Sequence, residues 1–182
     1  MHFPSSILEP LLTQTFSLFM FNNAESSSET IEFIFLLTID DLKEAINNKE
    51  KLKLEKLDIE AALKTRIMIL LIGILVHKFK KFSLPFSGGC KLGKRTLTPH
   101  LYALEKFGIK IKVKDEEYEI SRNKLTSGEN IIMYESGDTA TENAILAAAL
   151  IEGKTVVKFA SANYQVQDLC HFLAGLGVKI EG

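Results

Sequence analysis

The pattern of apolar and polar residues predicts a buried helix in the middle of the chain. The helix is predicted from about Ala61 to Lys78, and residues 67–76 within it contain no charged or polar side chain. This run is about half as long as the roughly 20 residues that a membrane-spanning helix needs, and Arg66 and His77 flank it. We therefore predict a core helix and no membrane span.

Two later helices are predicted to end in the same way. The segments Leu104–Ile111 and Leu173–Ile180 each combine helical spacing, a glycine and a short alternation of apolar residues with lysine. Gly108 and Gly177 stand where a residue in the left-handed region would end a helix. The alternations Ile-Lys-Ile and Val-Lys-Ile that follow predict half-buried strands.

A further helix is predicted at Thr139–Glu152, followed by a strand at Lys154–Phe159. Thr139 is predicted as the N-cap residue, with Glu142 three residues later completing a capping box. Gly153 is predicted to stop the helix.

These elements predict an internal repeat and hence the fold class. Residues 59–127 and 128–182 are interpreted as two copies of a helix-strand-helix-strand unit, the second incomplete, and residues 1–58 as a degenerate first copy. Such copies bury their helices together under sheets, which predicts an α/β (α+β) fold in one domain. The first copy would contain helices at Ser6–Phe21 and Asp40–Asn47 and strands at Thr30–Phe35 and Lys51–Leu57.

Charge and cysteine content exclude several classes of protein. The 22 Lys and Arg residues are balanced by 23 Asp and Glu residues, so the basic excess typical of nucleic-acid-binding proteins is missing. Two cysteines, Cys90 and Cys170, cannot form a disulfide framework. The apolar start, Met1–Phe21, lacks a basic n-region and contains Glu9 and Pro10, unlike a signal peptide. We expect a cytoplasmic protein that binds neither nucleic acid nor a membrane.

Candidate chemistry is concentrated around Cys90. Exposed backbone N–H groups of glycines, together with nearby cations, suit a phosphate or carboxylate. The same cations favour the thiolate, which makes Cys90 a candidate nucleophile or proton donor, although a purely structural cysteine remains equally open from these residues alone. The glycines and cations are Gly88, Gly89, Gly93, Lys91, Lys94 and Arg95.

The residues after this loop predict a helix start, and the second cysteine is interpreted differently. Thr98 and Pro99 are predicted as N-cap and N1, which places His100 in the first helical turn, where an anion could also bind. Cys170 is predicted to lie in the core, at helical spacing with Val166, Leu169, Leu173 and Leu176. No metal-ligand spacing or cofactor motif is present in the sequence, so we expect neither a metal nor a cofactor.

The segments Leu84–Arg95 and His100–Gly108 resemble the UDP-N-acetylglucosamine 1-carboxyvinyltransferases, a family of enolpyruvyl transferases. The resemblance continues through Thr141–Val156 and Asp168–Gly177. It implies transfer of enolpyruvyl from phosphoenolpyruvate to the 3'-hydroxyl of UDP-N-acetylglucosamine, with release of phosphate, at the start of peptidoglycan synthesis.

The family fold implied by the resemblance contains two similar domains, each an inside-out barrel of three repeated βαβαββ-type units around a pseudo-threefold axis. The active site lies in the cleft between them. This chain resembles most of one domain. A truncated or single-domain form would then need a second chain, or a homo-oligomer, to complete the cleft.

The resemblance also implies roles for individual residues. Cys90 corresponds to the loop cysteine that protonates or covalently holds phosphoenolpyruvate, and Arg95 to the arginine that pairs with its phosphate. Arg66 and His100 correspond to residues on the phosphoenolpyruvate side. The positions against the nucleotide are occupied by Thr96, Leu97, Thr98, Gly137, Asp138 and Thr139.

Two departures from the family pattern support an alternative. The first predicted helix opens with Pro4-Ser5-Ser6 where the family has a lysine and asparagine pair, and the acids Glu135 and Asp138 would repel a diphosphate. These departures favour a non-catalytic module of the same fold that binds an anion or a partner, whereas the combination of Cys90, Arg95 and Arg66 favours the enzyme. An unrelated α/β protein with a chance loop match is the third reading.

Overall fold

The computed structural model describes residues 68–85, 97–114, 117–127 and 130–182. The predicted repeat at residues 1–58 and the start of the predicted core helix lie outside these ranges, and the repeat boundaries stay predictions. The described elements are helices α1 (Met68–Lys78), α2 (Thr98–Glu105), α3 (Asp138–Ala148) and α4 (Tyr164–Gly175) and strands β1 (Lys81–Pro85), β2 (Ile109–Lys114), β3 (Glu117–Arg122), β4 (Ile131–Ile132) and β5 (Val157–Lys158). The described part of the chain is therefore a mixed α/β structure.

The larger sheet has the order β1-β3-β2, with antiparallel pairing throughout. Phe82 pairs with Ile120 and Leu84 with Tyr118, and these four side chains are buried on one face. The predicted strand after Gly108 is confirmed as β2, whose lysines are exposed because side chains alternate between the two faces.

The smaller sheet pairs β4 and β5 in parallel. The strand predicted at Lys154–Phe159 is present only as Val157–Lys158, because its backbone partners are the two residues Ile131 and Ile132. Phe159 then adopts a φ of 60°, which ends the extended conformation.

Helix α1 forms the centre of the core and confirms the predicted buried helix. Nearly all of its residues are buried, from Met68 to Val76, with Leu70 and Ile72 as examples. Helix α3 packs against α1, α2 and α4. Within the four described ranges, no helix has the length and apolar character needed to cross a membrane.

Two groups from other elements bind the end of α1 and hold it in the core. Arg122 of β3 donates from Nε to the carbonyl oxygen of Val76 and from Nη2 to that of His77, the latter at 3.4 Å. A cation at the carboxyl end of a helix is also favoured by the helix dipole. The His77 ring bonds through Nε2 to the carbonyl oxygen of Leu146 in α3 at 3.2 Å, and burial lowers the pKa of this histidine.

The predicted glycine ends are confirmed, but one predicted strand is wrong. Gly108 and Gly177 have φ values of 82° and 96°. After α4, the N–H of Gly177 bonds to the oxygen of Ala174, and that of Val178 to Leu173, the pattern of a Schellman motif. Residues 178–180 form no strand, because the first N–H points back to the helix and no described strand pairs with them.

The predicted boundaries of α2 and α3 need correction. Thr98 is the first residue of α2 and Leu97 its N-cap, while the N-cap of α3 is Gly137, two residues before Thr139. No described side chain caps either helix, so the predicted capping box is wrong. Helix α3 ends at Ala148, four residues earlier than predicted, and Gly153, with a φ of 106°, follows the turn after it.

Helices α1 and α3 approach closely at Gly73. A Cβ atom on Gly73 would lie 2.5 Å from Oδ1 of Asn143, 2.7 Å from its backbone oxygen and 3.1 Å from Cβ of Leu146. Two of these atoms belong to the backbone or to the first side-chain carbon, which cannot swing away. The position therefore requires glycine for packing.

We expect Gly73→Ala to lower the free energy of unfolding by about 2–3 kcal/mol, because the added methyl group overpacks the contact. Chemical denaturation monitored by circular dichroism measures the change. Gly175→Ala is the matched control, since a Cβ there meets no atom within 4 Å, and alanine in a helix is favoured by up to about 1 kcal/mol. Equal stability of the two variants would contradict the close contact.

Candidate functional site

The amino-terminal turns of α2 and α3 meet at His100. This side chain is 4% exposed, and its Nε2 atom lies 3.3 Å from Oγ1 of Thr139. Sequence analysis predicted His100 on the phosphoenolpyruvate side and Thr139 on the nucleotide side. The structure brings one residue from each group into direct contact.

Asn143 connects this contact to the core helix. Its Oδ1 atom accepts a hydrogen bond from the N–H of Gly73 at 2.9 Å, and its Nδ2 atom donates to the carbonyl oxygen of Ile69 at 2.9 Å. Ile69 and Gly73 are four residues apart, so the amide bonds to both backbone groups of one helical i, i+4 pair. The same Nδ2 atom lies 3.3 Å from Nδ1 of His100. One side chain of α3 thus binds both α1 and α2.

The first turn of α3 also holds the loop before α4. Both carboxylate oxygens of Asp138 accept hydrogen bonds, one from Oγ of Ser161 and one from Nδ2 of Asn163 at 2.9 Å. Oγ1 of Thr141 accepts the N–H of Ser161 at 3.0 Å. The Asp138 carboxylate is therefore hydrogen-bonded to the loop. It also lies at the amino-terminal end of α3, where the helix dipole favours a negative charge.

Glu142 has a different environment from the polar residues beside it. It is 1% exposed, and its Oε2 atom has no hydrogen-bond partner among the described residues. Burial, with a smaller contribution from the charge of Asp138, raises the pKa of this carboxyl to about 7. Burial without a counter-charge favours the neutral acid.

The remaining predicted site residues are divided between described and undescribed segments. Leu97 is half-buried and Thr98 exposed at the start of α2, and Gly137 lies at the start of α3 beside the Glu135 carboxylate. Arg66, Cys90, Arg95 and Thr96 lie outside the described residues, so their predicted roles stay predictions.

Cys170 was predicted to lie in the core, but it is half-buried at the margin of the buried side of α4. Val166, Leu169 and Leu173 are buried, whereas Cys170 and Leu176 are half-buried. Burial raises the pKa of the Cys170 thiol, which lowers the fraction of reactive thiolate. Across the described ranges, no three His, Cys, Asp or Glu side chains are placed to hold a metal ion.

Comparison with known proteins gives the family. Residues 34–182 match the family described as EPSP synthase (3-phosphoshikimate 1-carboxyvinyltransferase). The chain belongs to this family.

Relatives of this EPSP synthase-family chain have a more specific name. The UDP-N-acetylglucosamine 1-carboxyvinyltransferase of Borreliella burgdorferi is 43% identical over 117 residues, which are 64% of this chain and 27% of that protein. The proteins of the same name from Treponema denticola and Treponema pallidum are each 40% identical, over 73% and 68% of this chain and 31% and 28% of their own length. The resemblance inferred from the sequence is confirmed, and the chain spans less than a third of these relatives.

Sequence analysis missed the central role of Asn143 and Gly73 and misassigned Glu142 to a cap. The available signal was the run Thr141-Glu142-Asn143 inside a helix otherwise rich in alanine, isoleucine and leucine. All three residues are buried. A buried polar side chain needs a hydrogen-bond partner, so a polar run inside an otherwise apolar helix is a signal for bonds within the core.

The raised pKa of Glu142 predicts that stability falls as the pH rises. Below pH 4.5 the carboxyl is protonated in both the folded and the unfolded chain, but between pH 4.5 and about 7 only the unfolded chain releases the proton. The free energy of unfolding should therefore decrease across this window and level off above it. We expect Glu142→Gln to remove about 2–3 kcal/mol of this decrease.

Denaturation of both proteins at pH 5 and pH 8 measures this difference. Glu152→Gln, at an exposed position in the turn after α3, is the control and should retain the pH dependence of the unsubstituted chain. An unchanged pH dependence in Glu142→Gln would show that the buried carboxyl does not cause it.

Proposed function

We propose that this chain is part of an enolpyruvyl transferase that moves the carboxyvinyl group of phosphoenolpyruvate to the 3'-hydroxyl of UDP-N-acetylglucosamine. In this reaction the carbon–oxygen bond to phosphate breaks and a carbon–oxygen bond to the sugar forms. The relatives named above support the substrate pair, and family membership supports the reaction class. The product would enter peptidoglycan synthesis, with the chemistry taking place in the cytoplasm.

The contact between His100 and Thr139 is the structural observation that carries this proposal. Two substrates that react with each other need binding groups on adjacent elements, and the amino-terminal turns of α2 and α3 are adjacent at 3.3 Å. The loop with Cys90 and Arg95 immediately precedes α2 in the sequence. The chain therefore leads directly from these proposed catalytic groups to the start of α2.

The roles that the family resemblance implies agree with the chemistry of the residues. Arg95 and Arg66 neutralise the phosphate as it leaves, because the guanidinium group pairs with phosphate through two parallel hydrogen bonds. Cys90 protonates or covalently holds the phosphoenolpyruvate carbon. His100 lies on the phosphoenolpyruvate side of this site, and no cofactor or metal takes part.

The nucleotide is assigned to the starts of α2 and α3. The residues are Thr96, Leu97, Thr98, Gly137, Asp138 and Thr139. Asp138 is less repulsive to a diphosphate than its sequence position suggests, because Ser161 and Asn163 already donate to its two oxygens. Glu135 remains exposed beside Gly137 and still opposes an anion there.

The fold proposed for the whole domain has repeated units around a pseudo-threefold axis, and a second body completes the cleft. The chain covers 27–31% of the three relatives, which leaves most of each relative without a counterpart in this chain. A second chain or a homo-oligomer would supply it. The exposed acid Glu135 opposes binding of the nucleotide diphosphate, and therefore favours the second candidate, a non-catalytic module of this fold that binds another anion or a partner.

Phosphate release from phosphoenolpyruvate plus UDP-N-acetylglucosamine tests the proposal. We expect release that requires both substrates and that falls by at least about 100-fold in Cys90→Ala, since a positioned proton donor contributes this much. Cys170→Ala is the matched control and should retain the activity of the unsubstituted chain. Release that is unchanged in Cys90→Ala would contradict the assigned role of this cysteine.

Alkylation by fosfomycin, an epoxide that mimics phosphoenolpyruvate, separates the two candidate functions. Peptide mapping by mass spectrometry should show Cys90 modified faster than Cys170, whose raised pKa disfavours the thiolate. A folded chain that releases no phosphate but is alkylated selectively at Cys90 would be a binding module. Equal alkylation of the two thiols would contradict an anion site at the loop.

A further inference from the structure

The orientation of the Asn143 amide is fixed by the backbone of α1. A backbone N–H only donates and a carbonyl oxygen only accepts, so Oδ1 must face Gly73 and Nδ2 must face Ile69. In the reversed amide, the NH2 group would face the N–H of Gly73, and the side-chain oxygen would face the carbonyl oxygen of Ile69. Neither pair could form a hydrogen bond. Nδ2 is therefore the atom that contacts His100, at 3.3 Å.

This orientation determines the protonation of the His100 ring. An amide nitrogen donates and does not accept, so Nδ1 of His100 must be the unprotonated acceptor. In a neutral imidazole the proton is then on Nε2, which donates to Oγ1 of Thr139 at 3.3 Å. A proton on Nδ1 would face the N–H group of Asn143.

We propose that Asn143 is the positioning residue for His100, holding the ring as the neutral Nε2–H tautomer with that N–H directed to the start of α3. The inference deepens the proposed function and rests on it for the role of His100 at the phosphoenolpyruvate side. In this tautomer the His100 ring carries no positive charge, and its Nε2–H group donates to Thr139. The charge that balances the phosphate comes from the arginines.

The orientation of Asn143 is rigid because its bonds lie in the core. Asn143 is fully buried, and its Oδ1 atom occupies the space beside Gly73 that any larger residue at position 73 would need for its Cβ atom. Rotation of the amide away from these partners would leave a buried donor and a buried acceptor without hydrogen bonds, which costs free energy. The position of the Asn143 amide relative to His100 is therefore kept for as long as α1 and α3 stay packed together.

Nitrogen-15 NMR of the histidine rings at pH 7 tests the proposal on the unsubstituted chain. Long-range proton–nitrogen correlations, assigned to His100 through its side-chain carbons, distinguish protonated from unprotonated ring nitrogens. We expect an unprotonated Nδ1 and a protonated Nε2. A protonated Nδ1, in either the other tautomer or the imidazolium ion, would overturn the proposal.

Two isosteric variants identify which neighbour controls the ring. Asn143→Asp replaces the donor facing Nδ1 by an acceptor, and we expect the unprotonated Nδ1 signal to be lost. Thr139→Val removes the partner of Nε2 and leaves Asn143 in place, so the Nδ1 signal should stay unprotonated. The assignment would be overturned if Nδ1 of His100 became protonated in Thr139→Val but stayed unprotonated in a folded Asn143→Asp.

The NMR results for the unsubstituted chain and for the two variants do not depend on catalysis. Circular dichroism verifies folding, and if Asn143→Asp does not fold, the unsubstituted chain and Thr139→Val still decide the tautomer. The ring spectra need no substrate, so an absence of phosphate release would contradict the proposed function without changing the result for Asn143. Phosphate release with a protonated Nδ1 would instead support the function and reject the positioning role.

Discussion

The described structure depends on one buried amide, that of Asn143, between the backbone of α1 and the ring of His100. A polar group in the core costs free energy unless its donors and acceptor are bonded, and here the backbone of Ile69 and Gly73 supplies both kinds of partner. The arrangement requires glycine at position 73, because a side chain there would occupy the space of the amide. The same side chain thereby contacts α1 and the ring of His100.

Two of the three consecutive polar residues of α3, Thr141 and Asn143, connect this helix to different neighbouring elements. Thr141 binds the loop before α4, and Asn143 binds α1 and α2. Glu142, between them, has an oxygen without a partner in the described structure, and burial raises the pKa of its carboxyl to about 7. A buried polar atom without a partner costs free energy, so Glu142 is a place where the packing of α3 is less favourable than elsewhere in the described core.

Local patterns in the sequence predicted the elements whose determinants are local. The apolar run of α1 and the positive φ values at Gly108 and Gly177 are properties of short segments, and the structure confirms them. The cap at Thr139 was wrong because the helix already begins at Asp138, and the Thr139 hydroxyl bonds instead to His100, 39 residues away. The strand at residues 178–180 was wrong because a strand also needs a neighbour, which alternation alone does not provide.

The site shows the same division between local and long-range information. The loop around Cys90 was recognisable from residue types and spacing, and the family comparison supports the resemblance drawn from it. The role of Asn143 was not, because the carbonyl it binds in α1 lies 74 residues earlier, and no periodicity identifies such a partner. Its amide becomes informative only when the packing of α1 against α3 is known.

Scalar coupling across the hydrogen bond between Gly73 and Asn143 tests this account most directly. In protein labelled with nitrogen-15 and carbon-13, a long-range experiment correlates an amide nitrogen with the carbonyl carbon that accepts its proton. We predict a correlation from the Gly73 nitrogen to the side-chain Cγ of Asn143. A correlation from the Gly73 nitrogen to the backbone carbonyl carbon of Ile69 alone would contradict the account.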